Sequence, residues 1–172
     1  MTTAAYRLQT SCSMTPESVR TEAVETAAAG PPPVPEAAQD GETRRAARKT
    51  IAVVGASGDR RKYGNKCVRA YLDAGWEVYP VNLTEAEIEG RTAYQRVGEV
   101  PAELDRIAMY LPPPRTRELL PELAAKSARD GVFFNPGTWD REVIAEAEEL
   151  GIRARRECAI VALGTSPARY PA

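Results

Sequence analysis

Residues 50–64, TIAVVGASGDRRKYG, carry the pattern that decides the fold. They open with a short apolar run, 51–54, which ends at Gly55 and gives way to a polar turn. A helical pattern follows over residues 65–74, and a second apolar run occupies residues 78–81. A strand, a helix and a second strand within about thirty residues are the size of a βαβ unit.

The same alternation continues beyond this first unit. Apolar runs predict further strands at residues 104–111, 132–134 and 152–154, and helical periodicity predicts helices around residues 119–124 and over 139–150. Short, fully apolar strands that alternate with helices are typical of a parallel sheet covered on both faces. The sequence therefore predicts an α/β fold, with a Rossmann-like, doubly wound parallel sheet in three α/β/α layers.

Several residues predict where the helices begin and end. Pro121 is expected near the start of its helix, because an interior proline removes a backbone hydrogen bond, and Gly131 is expected to end that helix. Thr138 is expected to cap the next helix, with Asp140 in its first turn.

The first part of the chain, residues 1–49, has a different composition. Large apolar residues are sparse there, and residues 31–35 read PPPVP. Such a segment buries too little apolar surface to offset the entropy of ordering it. We therefore predict a disordered, low-complexity tail over 1–49 and one folded domain over 50–172, with a proline-rich docking segment as the alternative for the tail.

Composition excludes several classes of function. The chain has 23 basic and 24 acidic residues, which argues against a nucleic-acid partner. It has no histidine, which excludes Ser-His-Asp triads, Cys-His dyads and His-ligated metals. No apolar run is long enough for a membrane span. No secretory or transit pattern opens the chain, so a cytoplasmic location and no membrane partner are expected.

The turn after the first strand has the composition of a phosphate site. Gly55 and Gly58 permit close backbone approach, the Ser57 hydroxyl can donate, and the following helix start offers backbone N–H groups. Arg60 and Lys62, together with Arg61 between them, add positive charge. A phosphate-containing ligand is the favoured interpretation, and a solvated basic turn with structural glycines is the alternative.

A nicotinamide cofactor is disfavoured by two departures from the dinucleotide pattern. Ser57 stands where the second glycine of G-x-G-x-x-G belongs. The second strand ends in Pro80, Val81 and Asn82 rather than in the acid that binds a ribose, and Glu77 lies at the opposite end of the strand.

Two later turns fall at the same edge of the predicted sheet. LPPP at residues 111–114 follows the third strand, and NPGT at 135–138 follows the fourth. Each is compatible with a rigid connector, but ligands of parallel sheets bind beyond the carboxyl ends of the strands. Taken together, these loops favour a binding site.

The chain resembles the small stand-alone CoA-binding-domain proteins, which are similar to the CoA-binding domain of the succinyl-CoA ligase α subunit and of ADP-forming acyl-CoA synthetases. The resemblance rests on VVGAS at 53–57, the pair Tyr63-Gly64, GWEVYPVN at 75–82, YLPPP at 110–114, the NPG turn at 135–137 and Cys158. It covers residues 50 to about 163, and it implies CoA or an acyl-CoA as the cofactor.

The resemblance also implies the residues of the site. The first loop would hold the CoA phosphates, the end of the second strand would flank the nucleotide, and the loops after the third and fourth strands would run beside it. The predicted binding residues are therefore Gly55, Ala56, Ser57, Gly58, Arg60, Lys62, Tyr63, Gly64, Pro80, Val81, Asn82, Leu111, Pro112, Phe134, Asn135, Pro136 and Gly137.

The sequence departs from the family after Asn82. The family often continues Pro-Val-Asn-Pro-Lys, and its lysine can meet a phosphate, whereas Leu83 and Thr84 follow here. Arg91, or Arg60 and Lys62 from across the groove, could compensate. Without such compensation, CoA would bind weakly or another nucleotide would be preferred.

Three functions follow as hypotheses. The first is a CoA or acyl-CoA binding protein without catalytic machinery of its own or a metal. The second is a component of an acyl-CoA ligase or transferase system, which would need an unidentified partner chain. The third is an NAD(P)-binding, oxidoreductase-like domain. Cys158, the one candidate nucleophile near the predicted site, is expected to be a small buried residue that follows a strand rather than opening a helix.

Overall fold

The computed structural model describes residues 48–172. The predictions for the tail, disorder or a docking segment, fall almost entirely on residues 1–47, which lie outside the described residues. None of the helices within 48–172 is long and apolar enough to span a membrane.

The described residues form seven strands, four α-helices and two short 3-10 helices. In chain order these are β1 Thr50–Val54, α1 Tyr63–Asp73, β2 Glu77–Val81, β3 Glu87–Ile88, β4 Arg91–Thr92, a 3-10 helix Val97–Glu99, β5 Arg106–Met109, α2 Pro113–Lys126, β6 Gly131–Phe134, α3 Arg141–Glu149, β7 Ala154–Arg155, α4 Ala159–Ala162 and a 3-10 helix Pro167–Arg169.

Five of the strands form one parallel sheet in the order β2-β1-β5-β6-β7, and β3 and β4 form a separate antiparallel hairpin. The chain leaves β1 toward one edge of the sheet and returns through β5 toward the other. The strand order therefore reverses between β1 and β5, which is the place where doubly wound sheets bind their ligands. The predicted doubly wound parallel sheet is confirmed.

The sheet is covered on both faces, which explains why its strands are apolar throughout. In β1, Ala52 and Val54 belong to one core with Leu120 of α2, while Ile51 and Val53 belong to a second core on the opposite face. The first core also contains side chains of α3, and the second contains side chains of α1 and α4. Successive strand residues point to opposite faces, so both sets must be apolar. The three predicted layers are confirmed.

The segment that follows the hairpin pairs with the edge strand β2. Tyr94 donates its N–H to the Pro80 carbonyl at 2.9 Å and accepts the Asn82 N–H at 2.9 Å. Pro80 lacks an N–H, which an edge position tolerates. The strand's carboxyl half is thus paired on both sides.

The caps and breaks of the helices differ from the predictions. Asp140, not Thr138, caps α3, because its carboxylate accepts the Val143 N–H at 2.8 Å. Pro121 lies in the interior of α2, which begins at Pro113. Prolines are tolerated in a first helical turn, where the N–H groups have no partner in the helix. Helix α2 can therefore begin with Pro113 and Pro114, which were predicted to lie in the LPPP turn.

One prediction of a helix end and one of a strand were wrong in detail. Gly131 begins β6, and α2 has already ended at Lys126. The last strand lies at Ala154–Arg155 instead of 152–154. The β3–β4 hairpin was not predicted, because two-residue strands give no periodic signal.

Candidate functional site

Two cavities open at the carboxyl ends of the parallel strands, and both are lined by Gly55 and Leu111. The first, here called the apolar cavity, has a volume of about 310 Å³. The second, the turn cavity, has a volume of about 570 Å³. Because they share two residues, they adjoin each other at the point where the strand order reverses, and the pair is called the groove below.

The apolar cavity lies between the end of β2 and helix α2. Its floor and walls include Val54, Val81 and Leu123, which are buried core residues. Its rim carries Arg96 and Arg115. A flat apolar group would fill the interior, and an anionic substituent would meet the rim.

The turn cavity lies between the start of α1 and the turns after β5 and β6. Its lining is more polar and includes Lys62, Tyr63, Asn135 and Cys158. Tyr63 is 60% exposed, and Lys66 Nζ lies over its ring, 5.5 Å from the ring centre. A polar, extended chain suits this cavity better than a flat ring.

Gly55 forms the bridge between the cavities. Its φ of +85° is a conformation that residues with a side chain rarely adopt, and its N–H donates to the Val81 carbonyl at 3.0 Å. A Cβ at this position would lie 3.0 Å from backbone atoms of Tyr110. A glycine is therefore required here by its backbone conformation and by its close packing against Tyr110, and it lines both cavities.

Asn135 holds the floor of the turn cavity together, and only 2% of it is exposed. Its amide donates to the Met109 carbonyl at 2.9 Å, and its side-chain oxygen accepts the Ala159 N–H at 2.9 Å. Its backbone carbonyl accepts the Thr138 hydroxyl at 2.8 Å. One side chain thus joins the ends of β5 and β6 to the start of α4.

The basic residues of the first loop are paired with acids of the same chain. Arg60 contacts Glu89 at 2.7 Å, and Arg61 contacts Asp59 at 2.9 Å. The hydrogen bond from the Arg61 side chain lowers the pKa of Asp59 to about 2. Both arginines thus already have an acidic partner in the same chain, whereas Lys62 lines the turn cavity.

The predicted site residues divide into three groups. Those that line a cavity are Gly55, Lys62, Tyr63, Gly64, Val81, Asn82, Leu111, Pro112, Asn135, Pro136 and Gly137. Those buried beneath the groove are Ala56, Ser57, Pro80 and Phe134. Gly58 and Arg60 are exposed at the first loop.

Sequence reasoning missed part of the lining. Leu83, Gln95, Arg96 and Arg115 line the apolar cavity, and Tyr110 and Thr138 line the turn cavity. Arg96 follows the unpredicted hairpin, and Arg115 lies between the predicted turn at 111–114 and the predicted helix. The positions of Tyr110, directly before the predicted turn at 111–114, and of Thr138, within the predicted turn at 135–138, could have pointed to these two residues.

Cys158 differs from its prediction. It is the N-cap residue of the short helix α4, although its side chain makes no capping hydrogen bond, and it is partly exposed in the turn cavity. Cys67, by contrast, is fully buried, and burial raises the pKa of its thiol to about 12. Within residues 48–172 these are the two cysteines, and both are free.

We expect alkylation to separate these two thiols. In a Cys12→Ser variant at pH 8, iodoacetamide should modify Cys158 at least about 100-fold faster than Cys67, because thiolate and access are both required. Mass spectrometry of peptides from the native protein, with an unfolded sample as control, measures the two rates. Equal rates in the native protein would contradict the burial of Cys67.

A comparison with known families finds one match. The family described as "CoA binding domain" matches residues 49–164. This range contains every residue of both cavities.

Relatives with an assigned activity are much longer than this chain. The α subunit of acetate–CoA ligase [ADP-forming] II from Pyrococcus furiosus is 33% identical over 113 residues, which are 65% of this chain and 23% of the relative. A related subunit, that of acetate–CoA ligase [ADP-forming] I from the same organism, is 33% identical over 87 residues and is covered to 19%. The chain therefore spans about a fifth of these relatives.

Solved structures include proteins of matching size. A conserved hypothetical protein from Pyrococcus furiosus superposes with a TM-score of 0.61 at 33% identity, covering 67% of this chain and 98% of that chain. The apo form of dinucleotide-forming acetyl-coenzyme A synthetase 1 from Ca. Korarchaeum cryptofilum gives 0.53 at 27% identity, covering 62% of this chain and 25% of that chain.

Proposed function

This chain belongs to the family of CoA-binding domains, and from that we propose that it binds CoA or an acyl-CoA along the groove formed by the apolar and turn cavities. The observation that carries the proposal is that two cavities of different character adjoin at Gly55, which lines both of them. CoA has a matching form, since a purine nucleotide is linked by a diphosphate to a thin pantetheine chain.

The two ends of the ligand are assigned by chemistry. The adenine ring suits the apolar cavity, whose volume of about 310 Å³ is at the lower end of ligand sites. The 3′-phosphate of CoA would then lie at the rim, near Arg96 and Arg115. The pantetheine arm suits the turn cavity, and its thiol end would approach Cys158.

The rim arginines are available for this role. Arg115 pairs with Glu118 at 2.9 Å, and Arg96 lies 3.7 Å from Glu122. In both pairs the arginine side chain is largely exposed. Exposed ion pairs contribute at most about 1 kcal/mol to the free energy of folding. A phosphate can therefore replace a carboxylate as the partner at small cost, and these arginines take the place of the family lysine that is missing after Asn82.

Calorimetric titration tests the proposal with CoA, dephospho-CoA and NAD. We expect CoA to bind tightest and NAD weakest, because β2 itself ends in Pro80 and Val81 rather than in an acid that binds a ribose. Arg115→Ala should weaken CoA binding about tenfold and leave dephospho-CoA nearly unchanged. Arg48→Ala, which removes a charge before β1 at the other edge of the sheet, is the control. Binding of NAD in preference to CoA would overturn the proposal and favour the oxidoreductase-like alternative.

A second function is favoured by the named relatives, which are ligase subunits. Here the chain would supply the CoA site of an acyl-CoA ligase, and a separate protein would supply the chemistry. The purified chain with CoA, acetate, ATP and Mg²⁺ should form no acetyl-CoA under either proposal. Acetyl-CoA formation that appears only when a second purified protein is added would favour the ligase role.

A further inference from the structure

The donors of the first loop are already bound by a carboxylate from the same chain. The Gly58 N–H donates to Glu85 Oε2 at 2.6 Å, and the Ser57 hydroxyl donates to Glu85 Oε1 at 3.1 Å. These are the groups that a phosphate at this loop would use. The carboxylate thus has the position and the hydrogen bonds of an anionic ligand.

Glu85 is held in this position by the turn that follows β2. The Asn82 side-chain oxygen accepts the N–H of Glu85 at 3.0 Å and the N–H of Thr84 at 2.8 Å. The Asn82 amide donates to the Ala56 carbonyl at 2.7 Å and to Glu85 Oε1 at 3.3 Å. Asn82 therefore ties the turn to the first loop and directs the carboxylate onto it.

The contact leaves no space for a second anion. A Cβ placed on Gly58 would lie 2.7 Å from Glu85 Oε2, so the carboxylate sits directly against the loop. Two anions that need the same N–H and O–H donors cannot both be bound, and they repel each other. A diphosphate can reach these donors only after Glu85 has moved away.

A second acid of the segment after β2, Glu89, binds residues on the other side of the first loop. Glu89 accepts from Arg60 at 2.7 Å and from the buried Asn65 amide at 3.0 Å. Two acids of the segment between β2 and β4 thus occupy the hydrogen-bond donors of the first loop and pair with its nearby cation, Arg60.

We propose that Glu85 is a specificity-determining residue, which occupies the phosphate position of the first loop and competes with the diphosphate of the ligand. The proposal rests on the proposed function for the identity of that ligand. Glu85 therefore disfavours ligands that place a diphosphate at this loop, whereas a ligand that lacks phosphate is unaffected.

The test compares Glu85→Gln with Glu87→Gln. Both variants lose one negative charge, but Glu87 is an exposed residue of β3. The glutamine oxygen can still accept from Gly58, so the loop keeps its fold. We expect Glu85→Gln to bind CoA about tenfold tighter than the wild type, with pantetheine binding unchanged and Glu87→Gln like the wild type. Equal CoA affinity in all three proteins, or equal tightening in both variants, would overturn the inference while leaving CoA binding intact.

A second measurement does not depend on CoA. Inorganic pyrophosphate is titrated into ¹⁵N-labelled protein, and the amide resonance of Gly58 is followed. We expect a saturable shift in Glu85→Gln at concentrations about tenfold lower than in the wild type. This result without CoA binding would support the role of Glu85 and overturn the proposed function. No difference between the two proteins would overturn the role of Glu85.

Discussion

Replacing Gly64 by alanine should lower the free energy of unfolding by about 2–4 kcal/mol, although alanine is the better helix former. Gly64 lies in the first turn of α1, where that helix crosses the loop after β1. A Cβ there would overlap the carbonyl oxygen of Gly55 and would lie 3.2 Å from the Ala56 Cα. These neighbours are backbone atoms, so no side chain can rotate away, and either α1 or the Gly55 bridge must shift.

Thermal unfolding measures this effect, and we expect Tm to fall by about 8 °C or more. Gly98→Ala is the matched control, because a Cβ at Gly98 meets only the carboxylate of Glu122 at 3.4 Å. That variant should unfold within about 2 °C of the wild type. A Gly64→Ala protein as stable as the control would show that α1 does not approach the loop this closely.

Replacing Asn135 by aspartate is the second change with a large expected effect. The substitution keeps the size of the side chain but replaces the amide that donates to Met109 with an oxygen. A buried carboxylate then faces carbonyl oxygens. Such uncompensated buried charges cost about 3–5 kcal/mol, so we expect a loss of that order at pH 8.

The loss should depend on pH in a defined direction. Burial and the facing carbonyls raise the pKa of Asp in the folded variant above its unfolded value of about 3.9. The unfolded state then releases its proton at lower pH than the folded state, so stability falls as pH rises above that unfolded value. Urea unfolding at pH 4.5 and pH 8 should show a smaller difference from the wild type at the lower pH. A difference that is the same at both pH values would contradict the buried contact with Met109.

The order of strands, helices and loops was predictable because each follows from residue types that are close together in the sequence. The run 51–54 is apolar at every position since both faces of β1 are covered, and the glycine at 55 follows at once. The loops at 111–112 and 135–137 could be assigned to one edge because parallel strands all end there. For these segments, residue type and order are sufficient.

The electrostatics of the site were not predictable in the same way. Arg60 is basic in the sequence, but its effect depends on Glu89, 29 residues further along the chain. Similarly, nothing in the sequence distinguishes Glu85 from the other acids of its polar stretch. In the structure, the turn at Asn82 places its carboxylate against Gly58. Such pairings depend on a loop conformation that leaves no periodic pattern in the sequence.

The capping of α3 shows the same limit on a smaller scale. Thr138 and Asp140 can both cap a helix, and which of them does so depends on the residue at which the helix begins. The helix begins at Arg141, so Asp140 is its N-cap residue and accepts from Val143, whereas the Thr138 hydroxyl donates to the Asn135 carbonyl.

The pairing of Tyr94 with the carboxyl half of β2 has a consequence for the behaviour of the protein in concentrated solution. An uncovered edge strand is a template on which a second polypeptide can add by backbone hydrogen bonding, and this is a common route to fibrillar aggregates. Here the Pro80 carbonyl and the Asn82 N–H are bound within the chain, and Pro80 itself has no N–H to offer. The segment that follows the hairpin therefore also protects this part of the sheet against aggregation.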